Sequence, residues 1–157
     1  MDDQFWMQQA LEQAKLAEAA NEVPIGAILV ADGEVIGRGY NRPISLNDPS
    51  AHAEMQCIRD ACLQQQNYRL TGATMYVTVE PCLMCAGAIV HARISEVVIG
   101  ARETKSGAVL SHLSVFDQLQ LNHKVRYREG ILAAECHSLM QKFFANRRKQ
   151  NTKKCCG

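Results

Sequence analysis

Two short segments hold residue types able to do metal chemistry: His52-Ala53-Glu54 and Pro81-Cys82-Leu83-Met84-Cys85. One imidazole and two thiolates match the three protein ligands of a catalytic zinc ion, whose fourth position is left to water. Cys82 and Cys85 stand three apart, so on a helix they project from one face and converge on one ion. At a helix start, unpaired N–H groups and the positive dipole end favour thiolate over thiol. His52 also falls in an expected first turn. The reading is of two helix N-termini facing each other across one electropositive pocket.

Glu54 separates an enzyme from a metal staple. Zinc lowers the pKa of bound water from about 15.7 toward about 7. A carboxylate beside it can take the proton, deliver it to a ring nitrogen and protonate departing ammonia. Two positions apart on a regular helix, His52 and Glu54 would diverge by about 200°, so the carboxylate has to reach from the helix mouth to serve the same site. A structural zinc site wants a fourth protein ligand. Cys57 is the nearest candidate, but it lies well down the helix, and a staple leaves Glu54 without a purpose. His-x-Glu followed by Pro-Cys-x-x-Cys is the signature of the zinc-dependent nucleobase deaminases.

The elements that must position these residues follow from periodicity. Residues 4–20 carry Phe5, Ala10, Leu11, Ala14 and Ala17 at helical spacing, and Pro24 keeps the helix from continuing. Residues 25–30 form an apolar strand, Asp32-Gly33 a two-residue hairpin turn, and Val35 and Ile36 return toward Tyr40. A loop over 41–50 leads into a helix from about 51 or 52 to 66. Residues 74–79 alternate as a strand, Pro81 introduces a helix over 82–91, and 97–100 is another buried strand. Residues 102–122 read as loop with a short helix, 124–128 as a strand, and 131–148 as a helix carrying Leu132, Leu139, Phe143 and Phe144. The succession predicts a single α/β domain over 1–149 with a mixed sheet and helices on its faces. A basic, disordered tail is expected over 150–157.

Composition bounds the rest. With 157 residues and 47% hydrophobic content, the chain suits one domain with one core. No stretch approaches the ~20 apolar residues of a membrane span. Met1-Asp2-Asp3-Gln4 lacks the basic start and apolar run of a secretory signal. A cytoplasmic protein without a membrane partner is expected. Seven scattered cysteines do not make a disulfide framework, and Cys57, Cys62 and Cys136 fall in helical stretches as small apolar side chains. The net charge of +1 is not that of a nucleic-acid binder. Its distribution says more: Lys142, Arg147, Arg148, Lys149, Lys153 and Lys154 end the chain with no acidic residue among them. Such an end can neutralise phosphates, or it can be a solvated helix end.

Beyond the metal motif, several segments resemble the bacterial tRNA-specific adenosine deaminases of the cytidine/deoxycytidylate deaminase superfamily. They are Asn21-Glu22-Val23-Pro24-Ile25-Gly26-Ala27, Gly39-Tyr40-Asn41-Arg42-Pro43, Asp48-Pro49-Ser50-Ala51 running into His52, and Glu80-Pro81-Cys82 through Ala88. Asn67-Tyr68-Arg69-Leu70, Glu129-Gly130-Ile131-Leu132, and Phe143-Phe144 with Arg147-Arg148 extend the likeness to about residue 149. The resemblance implies a cytidine-deaminase-like three-layer α/β/α fold with about five strands. It implies His52, Cys82 and Cys85 as ligands of one zinc ion per subunit and Glu54 as proton shuttle, with no nucleotide cofactor. It implies a homodimer that deaminates the wobble adenosine of a tRNA anticodon stem-loop to inosine after extruding the base. Substrate contacts are implied for Asn41, Ala53, Glu103, Phe144, Arg147 and Arg148. Asn41 is equally a turn-stabilising loop residue, and one of the adjacent phenylalanines is expected in the core. Glu103 stands where the family usually has Asp, Lys124 where Arg is common, and 108–120 matches poorly.

Two other functions fit the same motif. A deaminase of free guanine, cytosine or cytidine would share fold, metal and Glu54; the acid-free basic end with Phe143-Phe144 is the feature that separates it. A non-catalytic zinc and RNA-binding subunit would have no use for Glu54.

Overall fold

Alternating side chains divide each strand between two helical layers. The computed structural model describes residues 1–118 and 120–156, the side chains of 155 and 156 excepted. Its elements are α1 (Asp3–Ala19), β1 (Gly26–Ala31), β2 (Glu34–Tyr40), α2 (Pro43–Leu46), α3 (Ala53–Gln65), β3 (Thr74–Val79), α4 (Leu83–His91), β4 (Glu96–Ala101), β5 (Arg126–Arg128) and α5 (Ala133–Cys156). The sheet order is β2-β1-β3-β4-β5; β1 is antiparallel to both neighbours, and β3, β4 and β5 run parallel.

Register carries the layering. Ile28, Tyr76 and Val98 form one row across β1, β3 and β4, packed with Trp6, Met7, Ala10 and Leu11 of α1 and Cys136 of α5. The next row, Leu29, Met75, Val97 and Tyr127, belongs to the other layer with Cys57 and Ala61 of α3 and Ala86 and Ile89 of α4. A slip of one residue would exchange the layers, so burial on both faces fixes the pairing. This is the three-layer α/β/α arrangement with a five-stranded mixed sheet that the sequence implies.

Glycine brings α3 onto the sheet. A Cβ at Gly39 would stand 2.3 Å from the Cys57 nitrogen and 2.4 Å from the Ala53 carbonyl oxygen. Only a residue without a side chain lets the two backbones approach so closely. The start of α3 is thereby held against the end of β2, beside Asn41.

Several boundaries shift by a residue or two, and three departures from the sequence reading stand out. First, α3 and α4 begin one residue later, at Ala53 and Leu83, so that His52 and Cys82 are caps rather than first-turn residues. Second, the segment read as loop over 41–50 contains α2, a single turn too short to show periodicity. The buried Glu22 carboxylate holds it by accepting from the Ile44 N–H at 3.1 Å, the Ser45 N–H at 2.7 Å and the Ser45 hydroxyl at 2.6 Å. Third, α5 runs past Arg148 to Cys156, where a loose tail is expected. From 133 to 156 there is no Gly or Pro to end it. Gly157, the last residue of that tail, lies outside the described residues. Among the described residues, no helix is long and apolar enough to cross a membrane.

Arg128 fastens α1 to the far side of the sheet. It donates to both oxygens of Asp3 and, at 2.6 Å, to Glu96, while the Tyr76 hydroxyl donates to Asp3 at 2.9 Å. The Arg128 hydrogen bond holds the Asp3 carboxyl below its ordinary 3.8, against a smaller effect of burial. A depressed folded-state pKa stabilises above the unfolded value and loses that stabilisation as pH falls toward the folded one. Asp3→Asn should therefore lower Tm at pH 7 by about 2–4 °C, and thermal melts should show the gap closing as pH drops below 3.8. A gap that persists at pH 2 would show that Asp3 acts otherwise.

Candidate active site

His52 caps α3 with φ −71° and ψ 157°, and Cys82 caps α4 with φ −77° and ψ 177°. Extended backbone at a cap takes the side chain off the helical rotation. The divergence expected between His52 and Glu54 on a regular helix therefore does not arise. His52 Nδ1 lies 3.5 Å from Cys82 Sγ and 3.6 Å from Cys85 Sγ, and the three ligand atoms lie within 4.8 Å of one another. Zn–N bonds of ~2.05 Å and Zn–S bonds of ~2.3 Å at tetrahedral angles place nitrogen and sulfur about 3.5 Å apart. The donor set thus fits a small tetrahedral ion in both chemistry and spacing. Among the described residues the cluster has three donors, and fully buried Cys57 is not one of them. Three protein ligands leave one position open.

Charge at the site is shared. The Cys85 thiol donates to Cys82 and, despite burial, holds that thiol down at about 4, with His52 and the Cys85 backbone N–H adding to the effect. The same bond, together with burial, pushes the Cys85 thiol up. The hydrogen bond to Cys82 raises His52. Glu54, in the first turn of α3 and 4% exposed, is pushed up to about 7, chiefly by burial. It lies against its own backbone N–H and the Cys85 sulfur. A carboxyl poised near neutrality can both take and give a proton.

The residues expected to meet substrate divide into two groups. Asn41 is buried at the end of β2, and the next residue, Arg42, donates from its backbone to the Ala51 carbonyl at 2.9 Å. That bond closes the 42–51 loop and brings Asn41 to the His52 end of α3. Ala53 is fully buried there. Glu103, Phe144 and Arg148 line one cleft of about 600 Å³, together with Val79 and Ala101 at the ends of β3 and β4. Arg147 is not among that cleft's lining residues; its guanidinium sits 5.1 Å above the Phe143 ring. Neither Phe143 nor Phe144 joins the core. The two rings pack edge to face at 5.5 Å, and Phe144 is 38% exposed, whereas Leu139, about a turn earlier on α5, packs against the core.

Glu80, unremarked in the sequence beyond its motif, is a centre of this region. It is buried, and its carboxylate collects hydrogen bonds from the loop between β4 and β5. Burial alone would raise it, but the Ser111 hydroxyl and the loop N–H groups hold it below the ordinary carboxylate range. The only local signal was an acid between Val79 and Pro81 at the end of an apolar strand.

Comparison with known proteins covers nearly the whole chain. The model of the MafB19-like deaminase family matches residues 1–148. The tRNA-specific adenosine deaminase of Haemophilus influenzae is 46% identical over 149 residues, covering 94% of this chain and 86% of that protein. A solved structure from work on A-to-I editing by tRNA:A34 deaminases at the wobble position of transfer RNA superposes with a TM-score of 0.83 and 45% identity, over 86% of this chain and 98% of that one. A guanine deaminase from Bacillus subtilis follows at 30% identity and a TM-score of 0.64, over 94% and 95%.

Elemental analysis of the intact protein should find about one transition-metal ion per chain. His52→Ala, Cys82→Ser and Cys85→Ser should each lose it, whereas Glu54→Gln should keep it. Cobalt substitution gives a second reading: a sulfur-to-cobalt charge-transfer band absent from the two serine variants. Retention of the ion by all three ligand variants would remove the site.

Proposed function

We infer that this chain, which belongs with the tRNA-specific adenosine deaminases in the MafB19-like deaminase family, hydrolyses the wobble adenosine of a tRNA anticodon to inosine. The observation that carries this reading is Glu54: a buried carboxyl set beside a three-donor metal cluster.

His52, Cys82 and Cys85 would hold one zinc ion. When bound, zinc supplies a Lewis acid that makes hydroxide available at neutral pH. Glu54 takes a proton from the attacking water and delivers it to N1 of adenine as the C6–O bond forms. It then carries the remaining water proton to the 6-amino group, the C6–N bond breaks, ammonia leaves and C6 becomes a carbonyl. Glu54 ends as it began.

Asn41 and Ala53, close to His52 in the fold, are assigned to the extruded base. Glu103, Phe144 and Arg148 are assigned to the surrounding anticodon loop, Phe144 by stacking and Arg148 through phosphate. Arg148 rather than Arg147 carries the phosphate contact in this cleft, since Arg147 rests on Phe143 outside it. A cleft lined by Arg102, Lys105, Phe144 and Arg148 offers cationic and aromatic contacts that a long RNA substrate uses and free guanine does not need. Exposed Leu83 and Met84 beside Cys82 support a homodimer as the working unit, and a tRNA substrate puts its work in the cytoplasm.

The test is incubation of the metal-loaded protein with a wobble-adenosine tRNA, with inosine read by mass spectrometry beside free guanine, cytosine and cytidine. Inosine should form at that position, and Glu54→Gln should slow it by roughly 10²–10⁴-fold while keeping the metal. Turnover of free guanine with intact tRNA would retain the chemistry and sink the substrate.

Arg148→Ala should weaken RNA binding at low salt and reduce the slope of log affinity against log salt by about 1. Arg147→Ala should change it less. Equal slopes for the two variants and the parent would place the RNA elsewhere.

A further inference from the structure

The loop between β4 and β5 is wrapped around one side chain from another element. Glu80 Oε2 accepts the backbone N–H groups of Val109 at 3.1 Å, Leu110 at 2.8 Å and Ser111 at 2.9 Å. Its Oε1 accepts the Glu103 N–H at 3.1 Å and the Ser111 hydroxyl at 2.6 Å. Among the described residues no cation forms a salt bridge with this carboxylate, and its direct partners are N–H and O–H dipoles, as in a backbone anion nest, with the Arg102 charge acting only from farther off. Gly107 closes the wrap: a Cβ there would stand 2.3 Å from the Glu80 carboxyl carbon.

The same residue is tied to the metal side. The Glu80 backbone donates to the Ala101 carbonyl at 2.9 Å, and the Pro81 carbonyl accepts from Ala108 at 2.9 Å. Cys82 follows immediately. On the loop side, Glu103, Thr104 and Lys105 form one wall of the cleft, whose other wall includes Phe144 and Arg148. One carboxylate therefore sets the position of that wall relative to the metal ligands.

We propose that Glu80 is a positioning residue for RNA: with Gly107 it locks the 103–111 loop as the cleft wall that receives the anticodon loop, at a set distance from Cys82. This rests on the reading of the cleft as an RNA site. The locked wall discriminates through substrate binding rather than through the chemical step, which belongs to Glu54.

The test uses the full-length, metal-loaded protein with Glu80→Gln, Gly107→Ala and the double variant. The amide in Glu80→Gln turns a donor toward N–H groups. The methyl in Gly107→Ala presses on the carboxylate from the loop side and leaves residue 80 intact should the first variant fold poorly. Amide exchange at Val109, Leu110 and Ser111 should quicken in both variants, while β3 and β4 stay protected. KM for a wobble-adenosine stem-loop should rise about tenfold while kcat falls less than about threefold. The double variant should be no worse than the weaker single one, because both break one lock. Ser111→Ala, which removes a single donor, should give a smaller shift in the same direction.

A quickened loop with unchanged KM, or a loop as protected as in the parent, overturns the proposal. A loss confined to kcat together with bound metal overturns it as well, placing Glu80 with the metal ligands. A parent protein that neither binds nor edits the stem-loop fails differently: the RNA reading itself falls, and the proposal with it.

Discussion

His52 and Cys82 meet because two helices begin at the same end of one sheet, each capped by a residue still in extended backbone. The extended cap is the constraint on which the site depends. At an N-cap the side chain points back across the open N–H end of the helix, where a thiolate is favoured and an imidazole can be shared. A residue inside the first turn would instead follow the helical rotation and leave His52 and Glu54 on divergent bearings. Placed as a cap, His52 reaches the two sulfurs while Glu54, in the first turn, lies against Cys85. Bare backbone at Gly39 keeps α3 close enough to the sheet for this meeting to occur.

Three buried carboxylates surround the site, and their environments sort their roles. Glu22 and Glu80 are saturated with backbone and hydroxyl donors, which keeps each charged in the interior and lets each organise a segment with little regular structure. Glu22 holds α2, after Asn41; Glu80 holds the loop that carries Glu103. Glu54 has few such donors, so burial raises it toward neutrality and leaves it free to exchange a proton. Burying an unpaired charge costs several kcal/mol. A small domain carries three acids inside only where hydrogen bonds offset that cost or where the acid can accept a proton.

Much of this was legible along the chain because it is written in local repeats. β1, β3 and β4 show as apolar or alternating runs, α1 and α3 as helical periodicity, and the hairpin as Asp32-Gly33. The metal ligands and Glu54 stand out because two short motifs place scarce residue types at meaningful spacing. Features held by distant partners were not legible. The turn of α2 depends on a carboxylate from residue 22, and the 103–111 loop on one from residue 80; neither dependence leaves a period in the segment it stabilises. One of Phe143 and Phe144 is expected in the core because adjacent aromatics on an amphipathic helix usually place one there, yet neither joins it.

By itself the sequence determined which side chains could do chemistry, which strands would be buried and in what order they follow, since these depend on residue type and spacing alone. Only the tertiary structure decided that His52 and Cys82 are caps, that Glu80 holds the cleft wall, and that Arg148 rather than Arg147 lines the cleft. Each of these turns on a bearing or a hydrogen bond between residues far apart in the chain. Such relations are set by how helices seat on a twisted sheet, and nothing in a local pattern records them.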